Sequence, residues 1–232
     1  VKAGFEVRVL DDAPIATGLV SDGVVDEDGL PDGIDGDAYV GGTDVAGKAL
    51  VANGDLKISW GADNADLAVE TTPASGALVQ DAPGGNGNRS VVFAATTVVP
   101  SGLTSEGVAV NYAYNADRTI LVAYRGAAGA SYESLTGDQL VFRVSLSDEN
   151  TGSYRFELLG VLDHDGKNIE DDIALNFTVR ATDSDGDWVD QGFKVVVNDD
   201  ALEIGAPTGG TVEEEQSQVA GSGNEELLPD GT

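Results

Sequence analysis

The sequence has no cysteine, few basic residues and no run of about eighteen apolar residues. Without cysteine, the chain can form neither a disulfide framework nor a thiolate metal site. The missing apolar run excludes a membrane-spanning helix, so we expect no membrane insertion. Only 12 Lys and Arg face 41 Asp and Glu, and the net charge of −29 excludes nucleic acid as a partner. At this charge the folded state repels itself, and we expect a monomeric domain.

Carboxylates are abundant, and they cluster in Asp/Gly-rich loops between apolar segments. Clustered carboxylates are typical of sites for hard divalent cations, and Ca²⁺ takes six to eight oxygen ligands. A domain without disulfides also needs another source of stability, which a bound metal supplies. We therefore predict Ca²⁺ as the cofactor. The alternative is a solvated, salt-adapted surface, in which the acids would be spread evenly along the chain.

Short segments of alternating apolar and polar residues predict strands. Clear examples are Leu140–Leu146, Tyr154–Leu158, Ile173–Val179 and Phe193–Val197. This period of two is typical of half-buried antiparallel strands. No segment has the convincing apolar period of an amphipathic helix. Many short strands separated by turn residues predict an all-β fold, a calcium-stabilised antiparallel β-sandwich with elaborated loops.

A short strand-like pattern occurs twice. Gly4–Asp12 matches Gly192–Asp200 at a spacing of 188 residues, and both end in Asp-Asp. A repeated domain-ending strand indicates one unit of a tandem array. The expected organisation is the last strand of a preceding repeat in residues 1–12, a sandwich domain in 13–200, and a linker with the opening of the next repeat in 201–232.

At four places along the chain, acidic residues lie in sequence surroundings typical of calcium ligands. In one loop, Asp183, Asp185 and Asp187 alternate around Gly186, so that a single loop can wrap an ion. The predicted ligands are Asp183, Asp185 and Asp187 in this loop; Asp163, Asp165, Asn168, Glu170, Asp171 and Asp172 in a second; Asp26, Asp28, Asp35 and Asp37 in a third; and Asp12, Asp199 and Asp200 at the joint between repeats. Calcium at the joint would lock successive repeats into a stiff rod. For each loop, a solvated acidic turn without an ion is the alternative.

No set of residues singles out a catalytic site, so we expect no enzymatic activity. His164, the only histidine, is either a ligand or base among the acids or, more commonly, a surface residue with a raised pKa. A carboxylate pair for sugar hydrolysis would leave no distinctive pattern among so many acids. Trp60 and Trp188 could stack on a sugar, but core packing is the commoner role beside strands.

Several motifs, in order along the chain, resemble those of a known family. They are Asp26–Pro31, Leu158–Gly166, Glu170–Asp172, Phe177–Asp187 and Val195–Asp200. Together they resemble the long repeat domains of RTX adhesins, the giant type I-secreted surface adhesins of Gram-negative bacteria. Within these motifs the chain departs from the family pattern at Asp165, where the family pattern has proline.

The resemblance, which covers about residues 13–200, implies a calcium-dependent β-sandwich on the bacterial cell surface. It implies a secreted protein that mediates attachment to cells or surfaces, as in a biofilm. One related domain type in such adhesins captures the free C-terminal peptide of a partner protein through a bound calcium. An acidic loop can hold a carboxylate only if a cation lies between them.

Two non-enzymatic functions follow from this resemblance. One is a ligand-binding domain whose partner is a peptide or protein C-terminus on a target surface. The other is a structural spacer repeat, rigidified by calcium and in contact only with neighbouring repeats. A spacer sandwich needs about 100 residues, whereas the unit 13–200 is nearly twice as long, with the surplus in residues 60–137. We therefore expect binding.

Overall fold

The structure, a computed structural model, describes residues 4, 6–8, 10–34, 47, 49–67, 84–96, 98–166 and 171–200. Within these ranges it contains twelve strands and three single-turn 3₁₀ helices. The strands are β1 (Ile15–Ala16), β2 (Gly23–Asp26), β3 (Val51–Asp55), β4 (Ile58–Ser59), β5 (Ser90–Val92), β6 (Thr104–Ser105), β7 (Val108–Tyr114), β8 (Ile120–Arg125), β9 (Leu140–Ser147), β10 (Ser153–Leu158), β11 (Asp172–Thr182) and β12 (Trp188–Asn198). The 3₁₀ turns are Glu27–Gly29, Tyr132–Ser134 and Gly137–Gln139. No helix in these ranges is long and apolar enough to cross a membrane.

The strands form two large sheets and a small one. The six-stranded sheet has the order β3-β10-β9-β8-β7-β6, the four-stranded sheet has the order β2-β12-β11-β5, and β1 pairs with β4. Every pairing is antiparallel except that of β2 with β12, which is parallel. The predicted all-β sandwich is therefore confirmed, with one parallel pair at the edge of the smaller sheet.

Aromatic side chains from the two large sheets meet in a common core. Tyr154 of β10 stacks on Phe193 of β12 with ring centroids 4.1 Å apart. Phe142 of β9 meets Phe177 of β11 edge-on at 6.1 Å. On β11 and β12 the buried residues alternate with more exposed ones, as the period of two predicts. Burial of these rings between the sheets stabilises the described fold.

Strand β8 is buried on both of its faces. The run Ile120–Tyr124 is at most 3% exposed, because residues between β8 and β9 fold back over the outer face of the sheet. Tyr124 fixes this cover: its hydroxyl donates to the Ala127 carbonyl at 3.2 Å and accepts from the Ala130 N–H at 3.1 Å. Part of the predicted surplus length therefore forms a second small core.

The two tryptophans have different environments. Trp60 is 5% exposed and donates from Nε1 to the Asn150 carbonyl at 2.8 Å, so core packing is confirmed for this residue. Trp188 is 54% exposed, and the expectation of core packing is wrong there. Trp188 lies at the first position of β12, where the chain leaves the hairpin loop and its side chain faces outward.

The acidic loops lie at opposite ends of β11 and β12. The pairing of these strands runs from Asp172↔Asn198 at one end to Thr182↔Trp188 at the other. Eleven paired residues at about 3.3 Å each separate the ends by roughly 30 Å. In the described part of residues 1–12 no strand is paired, and residues 201–232 lie outside the described ranges, so the predicted domain boundaries stay predictions.

Candidate metal sites at the two ends of the domain

The loop between β11 and β12 is folded around the side chain of Asp183. Its Oδ1 accepts hydrogen bonds from the backbone N–H groups of Asp185, Gly186 and Asp187, at 3.3, 2.9 and 2.9 Å. Gly186 has a φ of +114°, which side chains rarely tolerate, so glycine permits this turn. One oxygen from each of the three aspartates lies within 4.8 Å of the others. The loop thus gathers three carboxylates around one point.

The second oxygen of Asp183 is the clearest sign of a missing partner. Asp183 is 0% exposed, and its Oδ2 accepts no hydrogen bond from any described residue. Burial, followed by the neighbouring Asp185 carboxylate, outweighs the backbone hydrogen bonds and raises the pKa of Asp183 above 3.8. A buried carboxylate oxygen without a donor is costly. A bound cation would satisfy this oxygen, so the loop fits a metal ion.

Two other segments bring acids to the same loop. One oxygen from each of Asp11, Asp63 and Asp185 lies within 4.8 Å of the others. The Ala62 N–H donates to Asp12 Oδ2 at 2.8 Å, which holds the 11–12 segment beside the loop at 61–63. We call this group the hairpin cluster; its members are Asp11, Asp63, Asp183, Asp185 and Asp187.

Negative charges converge on Asp63 in particular. Its pKa is raised by burial first, and then by the charges of Asp185, Asp11, Asp12 and Asp187. Repulsion of this kind is relieved when a divalent cation binds between the carboxylates. Asp63 was not among the predicted ligands, because it stands apart from the dense acidic loops. The signal that could have found it is a carboxylate shortly after a strand that ends at this edge.

At the opposite end, a buried histidine lies among carboxylates. His164 Nε2 is 3.5 Å from Glu27 Oε1 and 3.9 Å from Asp199 Oδ1, while Nδ1 is 3.7 Å from Asp171 Oδ1. The side chains of His164 and Glu27 are 2% and 3% exposed. The expectation that His164 is a surface residue is therefore wrong, since the loop containing it folds inward. We call these four residues the histidine cluster.

The parallel pairing of β2 with β12 assembles this cluster. Asp26 is paired with Asn198. Glu27 and Asp199, the residues that follow these two in the sequence, therefore lie side by side. Glu27 opens a 3₁₀ turn, and its Oε1 accepts the Leu162 N–H at 2.7 Å. Because Leu162 precedes His164 by two residues, this hydrogen bond ties the histidine loop to the end of β2.

The charges of the histidine cluster shift two pKa values upward. Burial lowers the pKa of His164, but the contact with Glu27 and the charges of Asp199 and Asp171 outweigh it, so that the pKa lies above 6.5. Burial raises the pKa of Asp199 to about 6, the charge of His164 opposes this, and the charges of Glu27 and Asp171 add to the rise. His164 thus has the raised pKa that the sequence predicts, but its environment is buried and not exposed.

Comparison with known proteins gives no match: no family model, no curated protein and no solved structure is significantly similar to this chain. The RTX-adhesin resemblance therefore rests on the sequence motifs alone and stays a prediction.

The predicted ligands near His164 lie in different surroundings. Asp163 is turned away from the histidine cluster, because its Oδ2 accepts the Gly107 N–H at 2.8 Å. A hydrogen bond with Thr104 is the largest influence on the pKa of Asp163 and lowers it, and burial opposes this effect. Asp165 is exposed. The structure therefore places Asp163 against the β6–β7 turn and brings Asp171, but not Asp163, to the histidine.

The acids around the end of β2 and β12 are held by local hydrogen bonds. Asp26 and Asp28 are both buried, and Asp26 Oδ1 accepts the Asp28 N–H at 2.9 Å. Asp172 Oδ1 accepts from the side-chain amide of Asn198 at 2.9 Å. These bonds stabilise the turn and the strand end, and the acids that lie near His164 are Glu27, Asp171 and Asp199.

Asp200, the last predicted joint ligand, accepts the Ile34 N–H through Oδ1 at 3.1 Å. It therefore ties the chain after β12 to the loop that follows the 3₁₀ turn of Glu27. The predicted ligands outside the described residues are Asp35, Asp37, Asn168 and Glu170. Their roles stay predictions.

Proposed function

We propose that this chain is a calcium-dependent ligand-binding domain of a bacterial RTX adhesin, secreted by the type I route to the cell surface, where it attaches cells to other cells or surfaces. The observation that carries the proposal is the hairpin cluster. Its carboxylates form two groups of three that share Asp185. One group contains Asp183, a fully buried residue whose Oδ2 has no hydrogen-bond donor among the described residues. The family motifs and the sandwich fold support the same proposal.

Calcium suits the hairpin cluster because every donor in it is an oxygen. Ca²⁺ accepts six to eight oxygens in irregular geometry, whereas Mg²⁺ demands a near-ideal octahedron. The cluster combines one tight loop with carboxylates from two other segments, an arrangement that favours the ion with the more tolerant geometry. Asp183, Asp185 and Asp187 would hold the ion from the loop, and Asp11 and Asp63 from the neighbouring segments.

The ligand that this site suits is the free C-terminus of a peptide. A carboxylate cannot approach so many acids unless a cation lies between them, and an ion at an exposed end keeps positions open for a foreign oxygen. Trp188, 54% exposed, follows Asp187 directly. Its ring, with the Arg180 guanidinium 3.5 Å from the centroid, offers an apolar surface for the last side chain of the peptide.

One observation favours the second candidate function, a spacer repeat. Asp11 and Asp12 belong to the segment predicted to end a preceding repeat, and both lie at the hairpin end. An ion bound there would connect that segment to the loop of Asp183. In this case calcium stiffens the joint, and the domain itself has no ligand.

The two functions are separated by a peptide titration. A library of peptides with free C-termini, with the amidated versions as controls, is titrated onto the chain in calcium and in EGTA. Binding that needs both calcium and the free carboxylate supports the adhesin proposal. Calcium-dependent stability with no peptide bound at any concentration would favour the spacer and overturn the binding role.

A further inference from the structure

The histidine cluster differs chemically from the hairpin cluster. It contains an imidazole, and it lies roughly 30 Å away along β11 and β12. From its geometry we propose that it is a site for a d-block divalent cation of the Zn²⁺ class, held by His164 Nε2, Glu27 and Asp199. This inference does not depend on the proposed adhesive function.

The separations between the donor atoms fit a shared ion better than direct hydrogen bonds. Zn²⁺ binds imidazole nitrogen and carboxylate oxygen at about 2.0–2.1 Å, which places neighbouring ligands of a tetrahedron about 3.3 Å apart. His164 Nε2 is 3.5 Å from Glu27 Oε1 and 3.9 Å from Asp199 Oδ1. Both distances exceed the usual hydrogen-bond range. One donor atom of each residue lies within 4.8 Å of the others.

The histidine is buried and lacks a hydrogen-bond partner. Its side chain is 2% exposed, and neither ring nitrogen forms a hydrogen bond with a described residue. Buried polar groups are normally satisfied, so an exception needs an explanation, and a bound ion supplies one. Since Nε2 lies within 4 Å of two carboxylates, a cation between them would satisfy the nitrogen and both acids together.

Asp171 supplies the outer contact that metal-binding histidines usually have. Ligating imidazoles generally direct the other ring nitrogen at a carboxylate, which fixes the tautomer. Asp171 Oδ1 lies 3.7 Å from Nδ1 of His164, whereas Glu27 and Asp199 lie near Nε2. With an ion bound at Nε2, the Nδ1 proton would be directed to Asp171.

The donor set also selects the ion. Ca²⁺ is bound by oxygen, whereas imidazole suits Zn²⁺ and other d-block ions. In a calcium-rich medium the oxygen-only hairpin cluster would hold calcium, and the histidine cluster would remain available for Zn²⁺. The two ends of the sandwich would thus respond to different metals.

The test uses the fact that the chain has one histidine. The full chain, labelled with ¹⁵N-histidine, is saturated with millimolar calcium at mildly alkaline pH and titrated with ZnCl₂. Long-range ¹H–¹⁵N spectra then report the two nitrogens of His164 alone. We expect one Zn²⁺ per chain, with a shift of Nε2 to the metal-bound range and retention of the Nδ1 proton.

Variants measured by calorimetric Zn²⁺ titration locate the ion. Glu27→Gln, which removes a ligand, should weaken Zn²⁺ binding by at least the roughly 10–100-fold that loss of an outer contact costs. Asp117→Asn, in the exposed turn between β7 and β8, should leave Zn²⁺ binding unchanged. Circular dichroism checks that each variant is folded. The inference is overturned if excess Zn²⁺ leaves the imidazole nitrogens of the wild type unshifted, or if calcium alone shifts Nε2 equally. Neither result bears on calcium at the hairpin cluster, so the two proposals fail separately.

Discussion

Asp63 and Asp185 bring carboxylate oxygens within 4.8 Å of each other at the hairpin end, although their loops are far apart in the sequence. Two like charges at this distance repel, and the repulsion contributes to the raised pKa of Asp63. The contact is therefore stabilising only if a cation lies between the two side chains.

Calcium should consequently stabilise the domain against heat. At a free concentration 100 times the dissociation constant, a bound ion adds about 2.7 kcal/mol, and each kcal/mol raises the Tm of a domain of this size by about 2–4 °C. We expect a Tm higher by about 5–10 °C in millimolar calcium than in EGTA, measured by scanning calorimetry. Equal Tm values in the two buffers would remove the basis of the calcium assignment.

Asp183→Asn tests which residue carries that effect. The asparagine keeps a side-chain oxygen for the N–H groups of Gly186 and Asp187 but removes the buried charge. We expect the calcium-induced rise in Tm to fall to a few degrees or less. In EGTA the variant should be as stable as the wild type or more so, because the repulsion is gone.

The matched control is Asp117→Asn, which removes an exposed acid in the turn between β7 and β8. It should retain the full calcium effect. If both variants lose the effect equally, general charge screening and not a site at Asp183 explains the stabilisation.

The strands could be predicted from the sequence because their pattern is local. On β11 and β12, apolar residues such as Phe177 and Phe193 recur at every second position, and this period survives in the structure. The Asp183 loop could be predicted for the same reason, since its three acids occupy every second position of one short segment. The burial of strand β8 on both faces could not be predicted, because a run such as Ile120–Tyr124 does not show what covers its outer face.

The remaining site residues depend on long-range pairing that no local pattern shows. Glu27 meets Asp199 only because β2 pairs in parallel with β12, in the register Asp26↔Asn198. The loop that contains His164 is tied to Glu27 through the Leu162 N–H. Asp63 reaches Asp185 across two loops. Each case needs the tertiary fold. The sequence therefore singled out His164, Asp171 and Asp199 separately, but it did not show that they meet Glu27.

Without metal, the domain should lose stability as the pH rises. Asp199 has a pKa of about 6 in the fold and 3.8 as its ordinary value. A raised folded pKa gives stability that is present below the unfolded pKa and lost as the pH passes the folded one. The loss through Asp199 therefore falls between about pH 4 and 6 and amounts to about 3 kcal/mol at most. His164, also raised, extends the loss above pH 6.5.

Tm measured against pH in EGTA checks this expectation. Asp199→Asn should flatten the curve between pH 4 and 6. It should also weaken the decline above pH 6.5, because the charge of Asp199 contributes to the raised pKa of His164. With metal ions present the decline should weaken, because the cation replaces the protons. A Tm that increases with pH in EGTA would contradict the burial of uncompensated acids at this end.

Two buried tyrosines provide a matched pair for the cover over β8. The Tyr124 hydroxyl makes hydrogen bonds to Ala127 and Ala130, whereas the Tyr154 hydroxyl is buried without a partner among the described residues. Tyr124→Phe should destabilise the domain by about 1–2 kcal/mol, and Tyr154→Phe should be neutral or stabilising. Chemical denaturation gives both values, and equal destabilisation would argue against the role of Tyr124 in fixing the cover.

The exposed Trp188 offers a direct readout of peptide binding. Trp60 is 5% exposed and Trp188 54%, so a ligand at the hairpin end changes the fluorescence of Trp188 and leaves that of Trp60 unaltered. In calcium, a peptide with a free C-terminus should shift the emission to shorter wavelength, because the last side chain covers the indole. The amidated peptide should bind at least about tenfold more weakly, since it cannot place a carboxylate on the ion. Asp183→Asn should abolish the emission shift, because it removes a calcium ligand. Trp188→Phe should also remove the fluorescence change, but calorimetry should still detect peptide binding to this variant. A shift that persists in EGTA would mean that the peptide binds to the ring and not through calcium.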